Sequence, residues 1–304
     1  MRVAIVGVQG GLGKRVAEVA CTETRWDMIA ITRDSVMYQG TRYPFDSKDH
    51  REWRRLFDND ETAPDVIINC AAMTDVDRCE TERALAWESN ARLVEHIVNQ
   101  CKRNGNRYIH VSTDYVFDGR KGPYTETDTP NPINYYGKTK LAAENICAQS
   151  RIDHTVIRTM WLYGEEAGRK RSFVRWIAET VGAGESINVV TDEIGTPSLI
   201  DDVAYGIIKA IERQKNGVIN IAGPEVMSRW DFARIVAEVY QLDQKLILPI
   251  DSSQLSRLAK RPLHSGLIPL QAQTTLGLSL TPLREGLKMI RIREERIRNG
   301  VMGL

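Results

Sequence analysis

The first thirteen residues restrict the fold more than any other part of the chain. Arg2 to Val6 is a short apolar run of strand character. Gly7, Gly10 and Gly13 follow as a G-x-x-G-x-x-G turn, and an amphipathic helix begins near Gly11. A strand delivered straight into a glycine turn and a helix is the opening of a βα unit, whose next strand must lie parallel to the first. Glycines allow the backbone to turn tightly and come close to a pyrophosphate, while unpaired amides and the positive end of the helix dipole face the anion. Gly7, Gly10, Gly11, Leu12 and Gly13 are therefore the expected phosphate cradle of a dinucleotide.

The alternation continues. Asp27 to Thr32 and Asp65 to Ala71 have strand character, a long helical stretch runs from about Thr81 to Arg103, and Tyr108 to Ser112 forms another strand. Strand and helix in turn predict an α/β fold of the Rossmann type, a doubly wound parallel sheet covered on both faces. Ligands of such sheets gather at the carboxyl ends of the strands. Gly7, Arg33, Ala71, Ala72, Ser112 and Thr113 all fall at such ends, so they can converge on one crevice. Arg33 stands where an NAD-selective site usually offers an acid to the ribose. A guanidinium there can pair with a 2′-phosphate, which favours NADPH and leaves NADH open; a solvated surface Arg is the alternative.

Tyr136 and Lys140 lie four positions apart at the start of a helical stretch, Y-G-K-T-K. That spacing is just over one turn and sets phenol beside ammonium. A cation near a phenol favours phenolate, so the pair is expected to give and regain a proton near neutrality. Thr113, at a strand end, can hydrogen-bond a carbonyl oxygen alongside Tyr136. Asp114 is open between turn-former, Asx cap and helper acid.

These residues sit in longer motifs: P-D-V-I-I-N-C-A-A-M-T-D-V-D (64–77), S-T-D-Y-V-F-D-G (112–119), P-x-N-x-Y-G-K-T-K-L-A-A-E (132–144), R-T-M-W-L-Y-G (158–164), D-E-I-G-T-P (192–197) and L-T-P-L-R-E-G-L (280–287). Together they resemble the extended short-chain dehydrogenases/reductases, and more narrowly the dTDP-4-dehydrorhamnose reductase family, whose relatives include the regulatory β subunit of methionine adenosyltransferase. The resemblance implies Thr113, Tyr136 and Lys140 as the catalytic set, with Lys140 also holding the nicotinamide ribose. It implies a helix-bending role for Asn90, an adenine contact for Asp46, and Ala71 and Ala72 on the adenosine side. For the substrate, a nucleotide sugar, it implies Thr113, Asp114, Trp161 facing the sugar ring, and Arg261. The implied reaction is reduction of a 4-keto sugar nucleotide; an NADP-binding regulatory subunit is the alternative. Where the family tends to read R-P-x-N-S-R-L, this chain has Arg261-Pro262-Leu263-His264-Ser265-Gly266-Leu267, losing one guanidinium and one amide.

Length and composition agree with this. The 304 residues suffice for a dinucleotide domain, 1–158 with a return at about 185–222, and a smaller α/β substrate lobe in most of 159–304. With 41 basic and 40 acidic residues the chain is not expected to bind nucleic acid. Its five cysteines lack metal-ligand spacing, so reduced thiols and no metal are expected. The first strand leaves no room for a signal peptide, and no apolar run is of membrane-spanning length, so a cytoplasmic protein is expected, with a homodimer left open. Ser172, Asp201 and Ser228-x-x-Asp231 are expected helix starts, and the loop from Gly119 to Pro132 a lid beside the site. Basic residues Arg169, Lys170, Arg171, Arg175, Arg257 and Lys260 fall on segments the resemblance sets around the substrate.

Overall fold

The structure is a computed structural model that describes residues 1–59, 61–164 and 172–298. Seven strands come first along the chain: β1 (Arg2–Val6), β2 (Asp27–Ile31), β3 (Ser35–Tyr38), β4 (Thr41–Pro44), β5 (Val66–Asn69), β6 (Arg107–Thr113) and β7 (His154–Thr159). Four short strands follow, β8 (Leu162–Tyr163), β9 (Ile187–Val190), β10 (Ile194–Gly195) and β11 (Ser198–Leu199). Then β12 (Gly217–Asn220) returns to the main sheet, ahead of β13 (Met227–Ser228) and β14 (Ile247–Ile250). The main sheet has eight strands in the order β12-β7-β6-β5-β1-β2-β3-β4. The helices are α1 (Gly11–Glu23), α2 (His50–Asp58), α3 (Val76–Thr81), α4 (Arg83–Trp87), α5 (Leu93–Asn104), α6 (Tyr135–Ser150), α7 (Phe173–Gly182), α8 (Ile200–Glu212), α9 (Arg229–Tyr240), α10 (Leu270–Leu276) and α11 (Leu283–Arg298).

Strand β1 shows why two helical layers are required. Side chains alternate across a strand, and here both sets are buried. Val3 and Ile5 join Val16 and Val19 of α1 and Ile207 and Ile211 of α8 on one face. Ala4 and Val6 join Val94 and Ile97 of α5 and Ala143 of α6 on the other. A third cluster lies in the second half of the chain, where Ile177 of α7, Phe232 and Val236 of α9, and Leu287 of α11 pack on Val189 of β9. Ser172 and Ser228 cap α7 and α9 as expected, accepting from Arg175 and Asp231 amides.

The parallel-dominated, doubly wound sheet is the one expected, and two details differ from the sequence reading. At the sheet edge β3 pairs antiparallel with both β2 and β4. Gln39 and Gly40 between them have φ of 47° and 76°, the left-handed pair that a tight hairpin requires. The second difference concerns the helical stretch from Thr81 to Arg103. It breaks into α4 and α5 around a π-helical turn at Glu88–Arg92. Asn90 sits in that turn, 1% exposed, and its amide bonds Met73 N (2.7 Å), Met73 O (3.1 Å) and Thr139 Oγ1 (3.0 Å). The extra residue in the turn aims this amide inward, where it fixes the loop after β5 to α6. Among the described residues, no helix is long and apolar enough to cross a membrane.

Candidate active site

Register brings the strand ends together. Val6 pairs with Ile31 and Asn69, and Asn69 with His110, so the ends of β1, β2 and β5 are level; β6 continues to Thr113, opposite Thr159. At the end of β1 the glycine turn is tight. Gly7 has φ +80°, and a Cβ there would lie 2.8 Å from Ala71 N; a Cβ at Gly13 would lie 2.3 Å from Gly7 O. Helix α1 follows Gly10 with no side-chain cap and no acid in its first turn. Its first amides therefore keep their capacity for an anion, and the cradle fits a dinucleotide pyrophosphate. Arg33 is exposed at the end of β2, and its carbonyl accepts from Ser47 N, next to the exposed Asp46. Ala71 is fixed by its amide, which donates to Asn69 Oδ1 (3.0 Å).

Thr113 and Tyr136 are brought into contact. Tyr136 lies in the first turn of α6, 8% exposed, and Thr113 at the end of β6, 7% exposed. The Thr113 side chain lies close enough to act on the phenol, and its Oγ1 donates to Asp114 Oδ1 (3.0 Å). Asn134 sets the helix start: its Oδ1 accepts from Gly137 N and its Nδ2 donates to Lys260 O, both at 2.8 Å. Gly137 is obligatory, since a Cβ would come within 2.1 Å of Tyr115 O.

The expected pairing of Tyr136 with Lys140 is not made. Lys140 Nζ reaches over to β6, donating to Val111 O (2.7 Å) and meeting His110 Nε2 at 3.1 Å. Burial pushes the Tyr136 phenol well above its usual range; Thr113 opposes this, and Asp114 adds to it. The same burial brings Lys140 down to about 8, with Glu144 opposing. Desolvation thus outweighs the helical proximity on which the sequence argument relied. Beneath the site, buried Glu144 takes a hydrogen bond from Ser112 Oγ (2.5 Å) and an ion pair from Arg158 Nη2 (2.7 Å).

On the substrate side, Asp114 is 2% exposed and pushed up to about 6 by burial, against hydrogen bonds from Ser265 and Thr113. Trp161 adopts φ of 43°, and the Arg229 guanidinium lies 3.8 Å over its ring. A Cβ at Gly195 would strike Met160 and Trp161 at 2.4 and 2.9 Å, so the glycine makes room for the indole. Arg261 does not face the crevice as a free cation. Its Nη2 and Nη1 bond both carboxylate oxygens of Asp77 at 2.7 and 3.2 Å. Arg257 pairs with Glu193 and exposed Arg175 with Glu179; Arg169, Lys170 and Arg171 lie outside the described residues. Nor is the Gly119–Pro132 loop a loose lid. His264 N donates to Gly119 O, Gly122 N to His264 O, and Tyr124 N to Gly266 O, which clamps the loop onto the segment that departs from the family pattern.

Sequence reasoning passed over His110, Arg229 and Asn134. The first two carry no local signal, whereas the N-x-x-G spacing of Asn134 and Gly137 is that of a helix cap.

A glycine cradle at β1, a Thr–Tyr hydroxyl pair at β6 and α6, and a buried lysine on that helix define a Rossmann-type short-chain dehydrogenase/reductase. A family model described as the RmlD substrate binding domain matches residues 1–295. A dTDP-4-dehydrorhamnose reductase of Mycobacterium tuberculosis is 35% identical over 289 residues, 93% of this chain and 89% of that protein. The crystal structure of a dTDP-4-dehydrorhamnose reductase from Clostridium acetobutylicum has a TM-score of 0.87 at 30% identity, covering 97% of this chain and 100% of that one. That of a Bacillus anthracis dTDP-4-dehydrorhamnose reductase in complex with NADP scores 0.85 at 28% identity, covering 96% and 99%. The chain belongs to the RmlD family.

Proposed function

We propose that this chain uses NADPH, with NADH as a lesser alternative, to reduce the 4-keto group of a dTDP-4-dehydro-6-deoxysugar, dTDP-4-dehydro-L-rhamnose first among them. The observation that carries the proposal is the Thr113–Tyr136 hydroxyl pair at the end of β6, in a chain whose relatives are named as reductases of such sugars. Residues 1–158 and about 185–222 form the dinucleotide part of this scheme, and most of 159–304 the substrate part.

Gly7, Gly10, Gly11, Leu12 and Gly13 hold the pyrophosphate, Ala71 and Ala72 line the adenosine side, Asp46 meets the adenine, and Arg33 pairs with the 2′-phosphate. The bound cofactor supplies a hydride to the sugar carbonyl carbon. Thr113 Oγ1, turning its proton from Asp114 to the substrate, and Tyr136 Oη hold the carbonyl oxygen, and Tyr136 gives that oxygen its proton. Burial keeps the phenol protonated, the form that donates. The alkoxide developing on the sugar is a stronger base still, so the transfer remains downhill. Lys140 has N–H bonds on Val111 O and on His110, which leaves its remaining donor for the nicotinamide ribose. Trp161 faces the sugar and Asp114 orients Thr113, while Arg261 shapes the pocket wall through Asp77.

Elimination is a poorer fit, because Asp114 is followed by Tyr115 and not by a second acid. The test follows NADPH absorbance against a panel of nucleotide-linked 4-keto-6-deoxysugars. Consumption with the dTDP sugars supports the proposal. Silence across the panel, together with tight NADP binding and co-purification with a synthetase, would replace it with a regulatory subunit.

A further inference from the structure

We infer that His110 is a positioning residue for the reaction: it holds Lys140 in place and favours its charged form. This rests on the reductase function proposed above, but part of its test does not.

The geometry is a buried chain of polar groups running from α6 across the sheet. Lys140 Nζ lies 3.1 Å from His110 Nε2, and His110 Nδ1 lies 3.3 Å from Tyr108 Oη. Asn69 Nδ2 donates to the same Tyr108 oxygen at 2.9 Å, and Asn69 Oδ1 accepts from Ala71 N at 3.0 Å. Every side chain in it is at most 2% exposed. Water therefore cannot substitute for a missing partner, and each proton is assigned by its neighbours. Ala71 N–H obliges Asn69 to present its NH2 to Tyr108. An ammonium at Lys140 has no lone pair, so Nε2 must accept and the ring proton must sit on Nδ1, facing Tyr108 Oη.

Two acceptors on one strand, Val111 O and His110 Nε2, thus fix the ammonium from below. Other titratable groups also face Lys140. Glu144, on its own helix, favours the ammonium as well, although its carboxylate is paired with Arg158. Cys147 of α6 and Cys70 after β5 are each pushed up to about 12 by burial, which keeps them neutral. His110 itself is driven well below its usual range by burial and by Lys140, so it stays an acceptor throughout the working pH range. An acceptor bonded to the charged form of a buried amine raises the pH at which that amine loses its proton. The far end of the chain fixes Ala71, against which Gly7 makes its close approach. Lysine and cofactor cradle are therefore registered to each other through His110.

The test compares His110→Phe, which keeps a ring but removes the acceptor, with His110→Gln, which restores an acceptor. The Lys140 titration is followed by NMR of protein with 13Cε-labelled lysine, and the alkaline limb of the kcat profile is measured in parallel. In His110→Phe both midpoints should fall by about one pH unit, with His110→Gln close to wild type. Unmoved midpoints in His110→Phe, or equal shifts in both variants, would overturn the inference. If His110→Phe does not fold, Tyr108→Phe serves: it removes the oxygen that fixes the ring tautomer and should shift Lys140 in the same direction by a smaller amount, no shift being the contrary result. The NMR midpoint is read without substrate, so a protein inactive on every keto sugar would sink the reductase proposal and leave the histidine–lysine coupling to be decided on its own.

Discussion

Ser265 Oγ donates a 2.6 Å hydrogen bond to Asp114 Oδ2, joining the C-terminal segment to the end of β6 across 151 residues. The bond is fully buried, and it holds the carboxylate that accepts from Thr113. Ser265 lies in the stretch where this chain lacks the family's arginine and amide, so the serine retains a structural tie that those losses leave intact.

Asp114 should give the fold a measurable pH dependence. Burial raises its pKa from 3.8 to about 6, so its neutral form favours the folded state. That stabilisation is complete below the unfolded value and is lost as pH rises through the folded one, a change of about 3 kcal/mol. Urea unfolding at pH 4 and pH 7 should show Asp114→Asn gaining on wild type by roughly this amount at the higher pH. An equal difference at both pH values would contradict it.

Replacing Tyr136 with Phe should lower kcat by about 10²- to 10⁴-fold and leave NADPH affinity nearly unchanged. Thr113→Val should give a loss of similar kind, since the two hydroxyls act on one oxygen. Steady-state kinetics with fluorescence titration of NADPH separates the two effects; retained turnover in Tyr136→Phe would remove the assigned acid.

Gly7→Ala tests the cradle. Its φ of +80° and the 2.8 Å approach to Ala71 N leave no space for a methyl group. We expect a cost of about 1–2 kcal/mol in stability and at least a roughly tenfold loss of NADPH affinity, equivalent to about 1.4 kcal/mol. Gly40, at φ +76° with nothing within 4 Å, is the control: Gly40→Ala should lose stability without losing cofactor affinity.

Arg261 and Asp77 should behave as one unit. Because the arginine is held at both carboxylate oxygens, Arg261→Ala and Asp77→Ala should each raise KM for the sugar nucleotide to a similar extent. The double variant should be no worse than either, with a coupling energy near 1 kcal/mol for this partly exposed pair. Additive effects would mean that the arginine contacts substrate independently of Asp77.

The parts of this molecule legible in its sequence are those with a local cause. The glycine turn, the βα alternation, the Ser172 and Ser228 caps and the start of α6 each follow from spacing over a few residues. The β3–β4 hairpin was missed because its strands are short and the outer one is exposed along its whole length, which removes the apolar signal. Interactions that span the chain were also hidden. Nothing near Lys140 announces that its nitrogen turns to Val111 O and His110, and nothing near Arg261 announces Asp77. The environment of Tyr136 was hidden for a related reason: a helical spacing fixes proximity, whereas burial is a property of the finished fold.

Asn134 has a wider consequence. One half of its amide closes the first turn of α6, and the other holds a carbonyl 126 residues downstream. A fragment ending after β7 would retain threonine, tyrosine and lysine, yet the amide that caps the phenol's helix would have lost its distant anchor. Chemical competence is thus distributed over both halves of the polypeptide, and neither half should be expected to act as a reductase when expressed without the other.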